Sequence, residues 1–219
     1  MRHRLERGSR TTNNQLRSVS TLTVRSSGNR ECGRMNAKVI EKCFQPIYGQ
    51  PCWGLSYDRQ LNLSMSFGQP LLKVREPYKS RSKSDFVQRI AARRRVTIKG
   101  RWWLWLVCCN WSITSDGLPL ATSSSSRRKI QFAIGQLSGQ ELVSVDVEPR
   151  AVVTRFAFDL GCILQCRPFK GDAGQLWMLR KPSGYYLSVY GNGTFSHQRG
   201  TDGVNRFQPI EAKGRLEDG

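Results

Sequence analysis

The chain has 219 residues, 38% of them apolar, and a net charge of +19 at neutral pH. That length supports a sizeable core, and the apolar share points to a globular protein with disordered pieces rather than a wholly disordered chain. A membrane helix needs roughly 20 apolar residues; the run from Trp102 to Cys109 is eight, and the first forty residues hold no apolar signal core.

The charge is local rather than spread. Residues 1–35 carry eight arginines against Glu6 and Glu31, and residues 73–101 carry eleven basic residues against Glu76 and Asp85. Such runs attract nucleic acid, anionic lipid or an acidic protein over distance. The seven cysteines (Cys32, Cys43, Cys52, Cys108, Cys109, Cys162 and Cys166) are odd in number and follow no disulfide framework. Without an export signal they read as reduced, mostly buried thiols, and the expected location is cytoplasmic.

Residues 1–34 show no apolar periodicity and read as a disordered basic extension. The pair Arg30-Glu31 is encodable by a purine-rich ribosome-binding stretch just upstream of Met35, so translation is expected to start at Met35. A single β-rich domain is expected over 35–200, followed by a flexible tail over 201–219. Val39, Ile40, Cys43 and Phe44 share one face of a short helix that Pro46 ends. Cys52 to Tyr57 and Leu61 to Phe67 form a hairpin, Gly68-Gln69-Pro70 turns the chain, and Leu71 to Glu76 is a third strand. Tyr78 to Ser84 reads as an exposed loop, and Asp85 caps a helix bearing Phe86 and Ile90.

The stretch Arg101 to Thr114, RWWLWLVCCNWSIT, organises the reading. Its alternation puts Trp103, Trp105, Val107, Cys109, Trp111 and Ile113 on one face of a single central strand. Cys108 and Cys109 point to opposite faces of it, and four tryptophans are expected to be buried. Asp116-Gly117 closes the strand, and Ile130, Ala133, Ile134 and Leu137 form the stripe of another helix, stopped near Gly139. Strands are then expected over 141–148, 152–158, 162–167, 176–181 and 185–190. The resulting class is α+β: an antiparallel β-rich meander (sheet, sandwich or open barrel) with two or three short helices.

The segments GQPCWGL (49–55), SFGQPLLKVREP (66–77), RRRVTIKGRWWLWLVCCNW (93–111), FDLG (158–161) and QLWMLRKPSG (175–184) resemble a family of small bacterial proteins over roughly Met35 to Gly200. The resemblance implies no catalytic residue, ligand or activity.

Chemistry is sparse. With His3 and His197 the sole histidines, most general-base and zinc arrangements are lost. Cys162 and Cys166, with Cys108 or Cys109, lack the CxxC pairs of a metal site. A cysteine nucleophile would be Cys52 with His197 reaching it, against the plainer reading of a packed turn. Paired-carboxylate catalysis would draw on Asp146, Glu148 and Asp159, which read as solvated or turn-capping groups. No phosphate loop is present, and no cofactor or metal site is assigned.

The expected function is a non-catalytic binding or accessory domain with a protein partner. The alternative is nucleic-acid binding by the basic segment 73–101, contacting anions through Lys79, Arg81, Lys83, Arg89, Arg93, Arg94, Arg95, Lys99 and Arg101 together with Lys73 and Arg75. Trp102 or Tyr78 would offer stacking, although the aromatics fall at core spacing rather than among the basic residues.

Overall fold

Alternation of apolar and polar residues recurs in most of the chain between Cys52 and Arg199, and the backbone follows it. In the computed structural model, which describes residues 39–58, 60, 62–200 and 208–209, three helices accompany twelve strands in two antiparallel sheets. The expectations for residues 1–34, for a start at Met35 and for a flexible tail lie outside the described residues, apart from the pairing of 208–209.

Helix α1 (39–44) runs into a 3-10 turn at Gln45–Ile47. The strands are β1 (Cys52–Tyr57), β2 (Leu63–Arg75), β3 (Arg95–Leu106), β4 (Asn110–Ser115), β5 (Leu118–Thr122), β6 (Leu142–Glu148), β7 (Val153–Phe158), β8 (Cys162–Arg167), β9 (Gln175–Arg180), β10 (Tyr185–Tyr190), β11 (Thr194–Arg199) and β12 (Gln208–Pro209). Helix α2 (Asp85–Ala91) sits between β2 and β3, and α3 (Arg127–Leu137) between β5 and β6. One sheet has the order β1-β2-β3-β9-β10-β11-β12, the other β5-β4-β8-β7-β6. The α+β class and the meander are as expected, and neither sheet closes into a barrel.

The two sheets face each other across one core. Leu63, Leu106, Trp177, Val189 and Phe195 stand opposite one another strand by strand, as do Met65, Leu104, Leu179 and Leu187, and all are buried. Phe156 of the second sheet and Phe44 of α1 close on Trp177, with ring centroids 5.6 to 5.9 Å apart. Tilted and edge-on contacts of this kind suit the aromatic quadrupole. Helix α3 buries Ile130, Ala133 and Leu137 and half-buries Ile134, the stripe its sequence predicts, and Ser126 caps it by accepting from the Lys129 amide.

The tryptophan stretch departs from expectation. It is not one strand: β3 ends at Leu106 and β4 begins at Asn110 in the other sheet. The Cys108 backbone turns left-handed at φ 39°, its amide held by the Asn62 side-chain oxygen at 3.0 Å. This corner exchanges the faces. Even residues Leu104 and Leu106 point inward before it, and odd residues Cys109, Trp111 and Ile113 do so after it. The expected shared face of Trp103, Trp105, Cys109 and Trp111 therefore does not exist, because alternation alone does not register a one-residue change of phase. Nor are four tryptophans buried: Trp111 is, whereas Trp102, Trp103 and Trp105 are half-buried. Cys108 is exposed and Cys109 buried, but in a corner rather than a strand.

Two smaller corrections concern β2 and α2. Gly68-Gln69 does not turn the chain; an extra residue between Phe67 and Pro70 makes a bulge, with Gly68 at φ 74°, inside one thirteen-residue strand. Ser84 occupies the cap position of helix α2 without a side-chain hydrogen bond to it, and Asp85 is the first helical position.

Candidate functional site

Pairing dictates where the basic segment lies. β1 follows β2 only as far as Phe67, and β9 follows β3 only from Trp103. Among the described residues Pro70 to Arg75 and Arg95 to Gly100 pair with each other alone, so they form a two-stranded ribbon projecting past the sheet, with α2 at its tip. Arg75 fixes that tip: its guanidinium donates to the Ile90 carbonyl at 3.1 Å and lies 5.3 Å from the Tyr78 ring centroid. The Tyr78 amide donates to Ala91 O at 2.9 Å, and Arg94 pairs with Glu76 at 2.8 Å.

The ribbon has two unlike faces. Leu72 stands opposite Ile98, and Val74 opposite Val96, continuing the phase of the core-facing residues beyond the core. Their exposures are 71%, 63%, 50% and 55%, so nothing among the described residues covers them. Lys73, Arg75, Arg95, Thr97 and Lys99 line a cleft of 240 Å³ on the other side, and no carboxylate among the described residues lines it. Lys99 holds its ammonium 5.4 Å from the Trp103 ring centroid, and Trp103 stacks on Trp105 at 5.4 Å and 19°. Partial burial, then the neighbouring charges of Arg180, Lys73 and Arg95, push the Lys99 pKa down.

The other expected anion contacts are dispersed. Lys79 and Arg89 line a cleft of 630 Å³ at the tip with Pro77, Tyr78 and Gln88. Arg101 belongs to a third cavity, of 710 Å³, shared with Gln50, Gly68, Trp102 and Pro182. Arg81, Lys83 and Arg93 are exposed on the segment around α2. Of the two expected stacking residues, Tyr78 lies at the tip and Trp102 turns inward against the core.

The residues weighed for catalysis are not assembled as the sequence required. Cys52 is buried and donates its thiol to Leu137 O at 3.1 Å, and burial pushes its pKa up to about 12. His197 stands elsewhere, with Nε2 3.8 Å from Cys43 Sγ, while Lys181 Nζ donates to the same sulfur at 3.6 Å. Burial raises the Cys43 pKa despite Lys181 and Lys42, and burial, then Lys181, lowers that of His197. The resting pair is thus a thiol beside a neutral imidazole. Asp146 and Glu148 are exposed, Asp146 lying 3.9 Å from Arg155, and Asp159 caps the Glu141 amide at 2.8 Å. Cys166 is fully buried beside Cys109, and both burial and that neighbour raise its pKa. Among the described residues no group of three or more His, Cys, Asp and Glu is placed to hold a metal, and no helix is long and apolar enough to cross a membrane.

Sequence reasoning missed the apolar ribbon face and the outward Trp103 and Trp105. The signal was present: the even residues Val96 and Ile98 precede Trp102, Leu104 and Leu106 in phase, which makes one strand longer than its sheet. No protein-family model matches this chain, and neither a curated protein nor a solved structure matches it.

Proposed function

We propose that the protein is a non-catalytic binding domain whose ribbon docks, by its apolar face, on the acidic-rimmed apolar surface of another protein. The carrying observation is the exposed quartet Leu72, Val74, Val96 and Ile98 on a projecting ribbon edged by basic residues. Apolar patches of this sort mark interaction surfaces. Full burial of such side chains contributes roughly 1.5–3 kcal/mol apiece before the costs of association. The occupant follows from charge. Eleven basic residues over 73–101 attract carboxylates and repel a second copy of the same ribbon.

The test is a photo-crosslinker at Ile98 in the full chain, in lysate of the native host, followed by purification of the crosslinked protein. The reading requires an acidic protein that binds the purified wild-type chain, more weakly at high salt, and that L72T/I98T fails to bind. A crosslink to the same chain or to nucleic acid, or equal binding by L72T/I98T, overturns it.

A further inference from the structure

The outward side of the seven-stranded sheet carries an arrangement that protein docking on the opposite ribbon face does not use. Register places Trp53, Ser66, Trp103, Arg180, Tyr186 and Gln198 side by side across six strands. The next row on this side is Ser56, Ser64, Trp105, Met178, Ser188 and Ser196. Neither row contains an acidic residue. Rings alternate with short or cationic side chains, so Trp53, Trp103 and Tyr186 are each two strands apart, roughly 10 Å at the usual strand spacing.

The cations converge on the same place. Arg180 stands between Trp103 and Tyr186, and its Nε is buried without a hydrogen-bond partner among the described residues. Lys99 lies over the Trp103 ring and continues into the basic cleft of the ribbon. None of the three described helices covers this face: α1 and α3 bury their apolar residues in the core between the sheets, and α2 lies at the ribbon tip.

We infer that this face binds single-stranded nucleic acid, its bases stacked on Trp105, which Trp103 backs from the other side, and on Tyr186, and its phosphates led by Arg180 and Lys99 into the ribbon cleft. The combination selects the ligand. A neutral glycan would use the rings and leave the clustered cations without a partner; a featureless polyanion would do the reverse. A duplex has its bases already stacked on one another, so a sheet reaches only its phosphates, whereas unpaired bases lie flat on aromatic side chains. This inference does not depend on the protein partner proposed above, because the two surfaces lie on opposite sides of β3.

The experiment is fluorescence anisotropy of the full chain with a labelled single-stranded oligodeoxythymidine, the matching duplex and heparin, across a salt series, with tryptophan emission recorded in parallel. The expected result is tighter binding of the single strand than of the duplex, with quenched tryptophan emission. W103L/W105L should weaken single-strand binding by about five- to a hundredfold. K99Q/R180Q, which leaves the rings in place should the tryptophan variant fail to fold, should flatten the plot of log affinity against log salt by about 0.7 for each phosphate no longer neutralised. L72T/I98T, on the opposite face, should bind as wild type, which separates this surface from the docking surface. Equal affinity for single strand, duplex and heparin without quenching, no binding at low salt, or unchanged binding in K99Q/R180Q each overturns the inference.

Discussion

Trp177 on β9 donates its indole hydrogen to the hydroxyl of Thr154 on β7 at 2.8 Å, joining the two sheets inside the core by a polar contact. Both residues are fully buried, so neither atom has water to fall back on. Thr154→Val leaves the indole unpaired and should cost about 1–3 kcal/mol in urea unfolding. The double variant W177F/T154V should cost less than the two single changes together, because the indole N–H is removed along with its acceptor. A loss under about 0.5 kcal/mol for Thr154→Val would contradict the contact.

Gly100 stands where the ribbon leaves the sheet, and a methyl group there would come within 2.6 Å of Ser66 Cβ and 2.7 Å of Trp102 O. Gly100→Ala should therefore destabilise by about 1–3 kcal/mol. Gly135, inside α3, has open space around it and an ordinary helical backbone. Gly135→Ala should stabilise by about 0.5–1 kcal/mol. Paired thermal melts of the two variants read both signs at once.

His197 carries a lowered pKa in the folded chain, through burial and Lys181, with Cys43 and Tyr185 beside it. Between that value and the unfolded value near 6.5 the unfolded chain binds more protons, so stability rises with pH up to about 6.5 and then levels. Below this window the folded imidazole protonates as well, and the slope from this group vanishes. His197→Gln should remove the corresponding slope from a series of unfolding curves at different pH. A slope that survives the substitution assigns the dependence to another group.

Among the six cysteines of the described residues, Cys108 alone is exposed. A thiol-specific maleimide should label Cys108 at once, and Cys52, Cys109, Cys162 and Cys166 only as the protein unfolds. Peptide mapping by mass spectrometry checks the order. Early labelling of Cys52, whose thiol is bonded to Leu137 O, would mean that α3 and β1 part readily in the native state.

Much of this architecture is legible in the residues. The stripe of α3, the capped turn at Asp159 and the strands between Leu142 and Tyr190 follow from periodicity and turn chemistry, since each buries one face against one core. The corner at Cys108 is not legible. Apolar residues flank it on both sides, so a change of phase and a change of sheet leave the pattern intact. The short β5 carries Pro119, which argues against a strand, yet the turn Asp116-Gly117 closes it against β4 with both residues at positive φ. The candidate surfaces were hidden for a related reason: Leu72 and Ile98 lie on a strand pair that outruns its neighbours, and alternation within one strand does not show where its neighbours end.

The seam between β3 and β9 joins neighbours in space whose chain positions lie on either side of the entire second sheet. During synthesis β3 emerges first, and its partner follows only after all five strands of the other sheet have left the ribosome. Until then the Trp103–Leu106 edge has hydrogen-bonding groups and aromatic rings with no native neighbour on that side. Distant pairings of this kind slow folding, and an unpaired apolar edge invites association with other chains. The interval before β9 arrives is thus the period in which a growing copy of this protein is most in need of a chaperone.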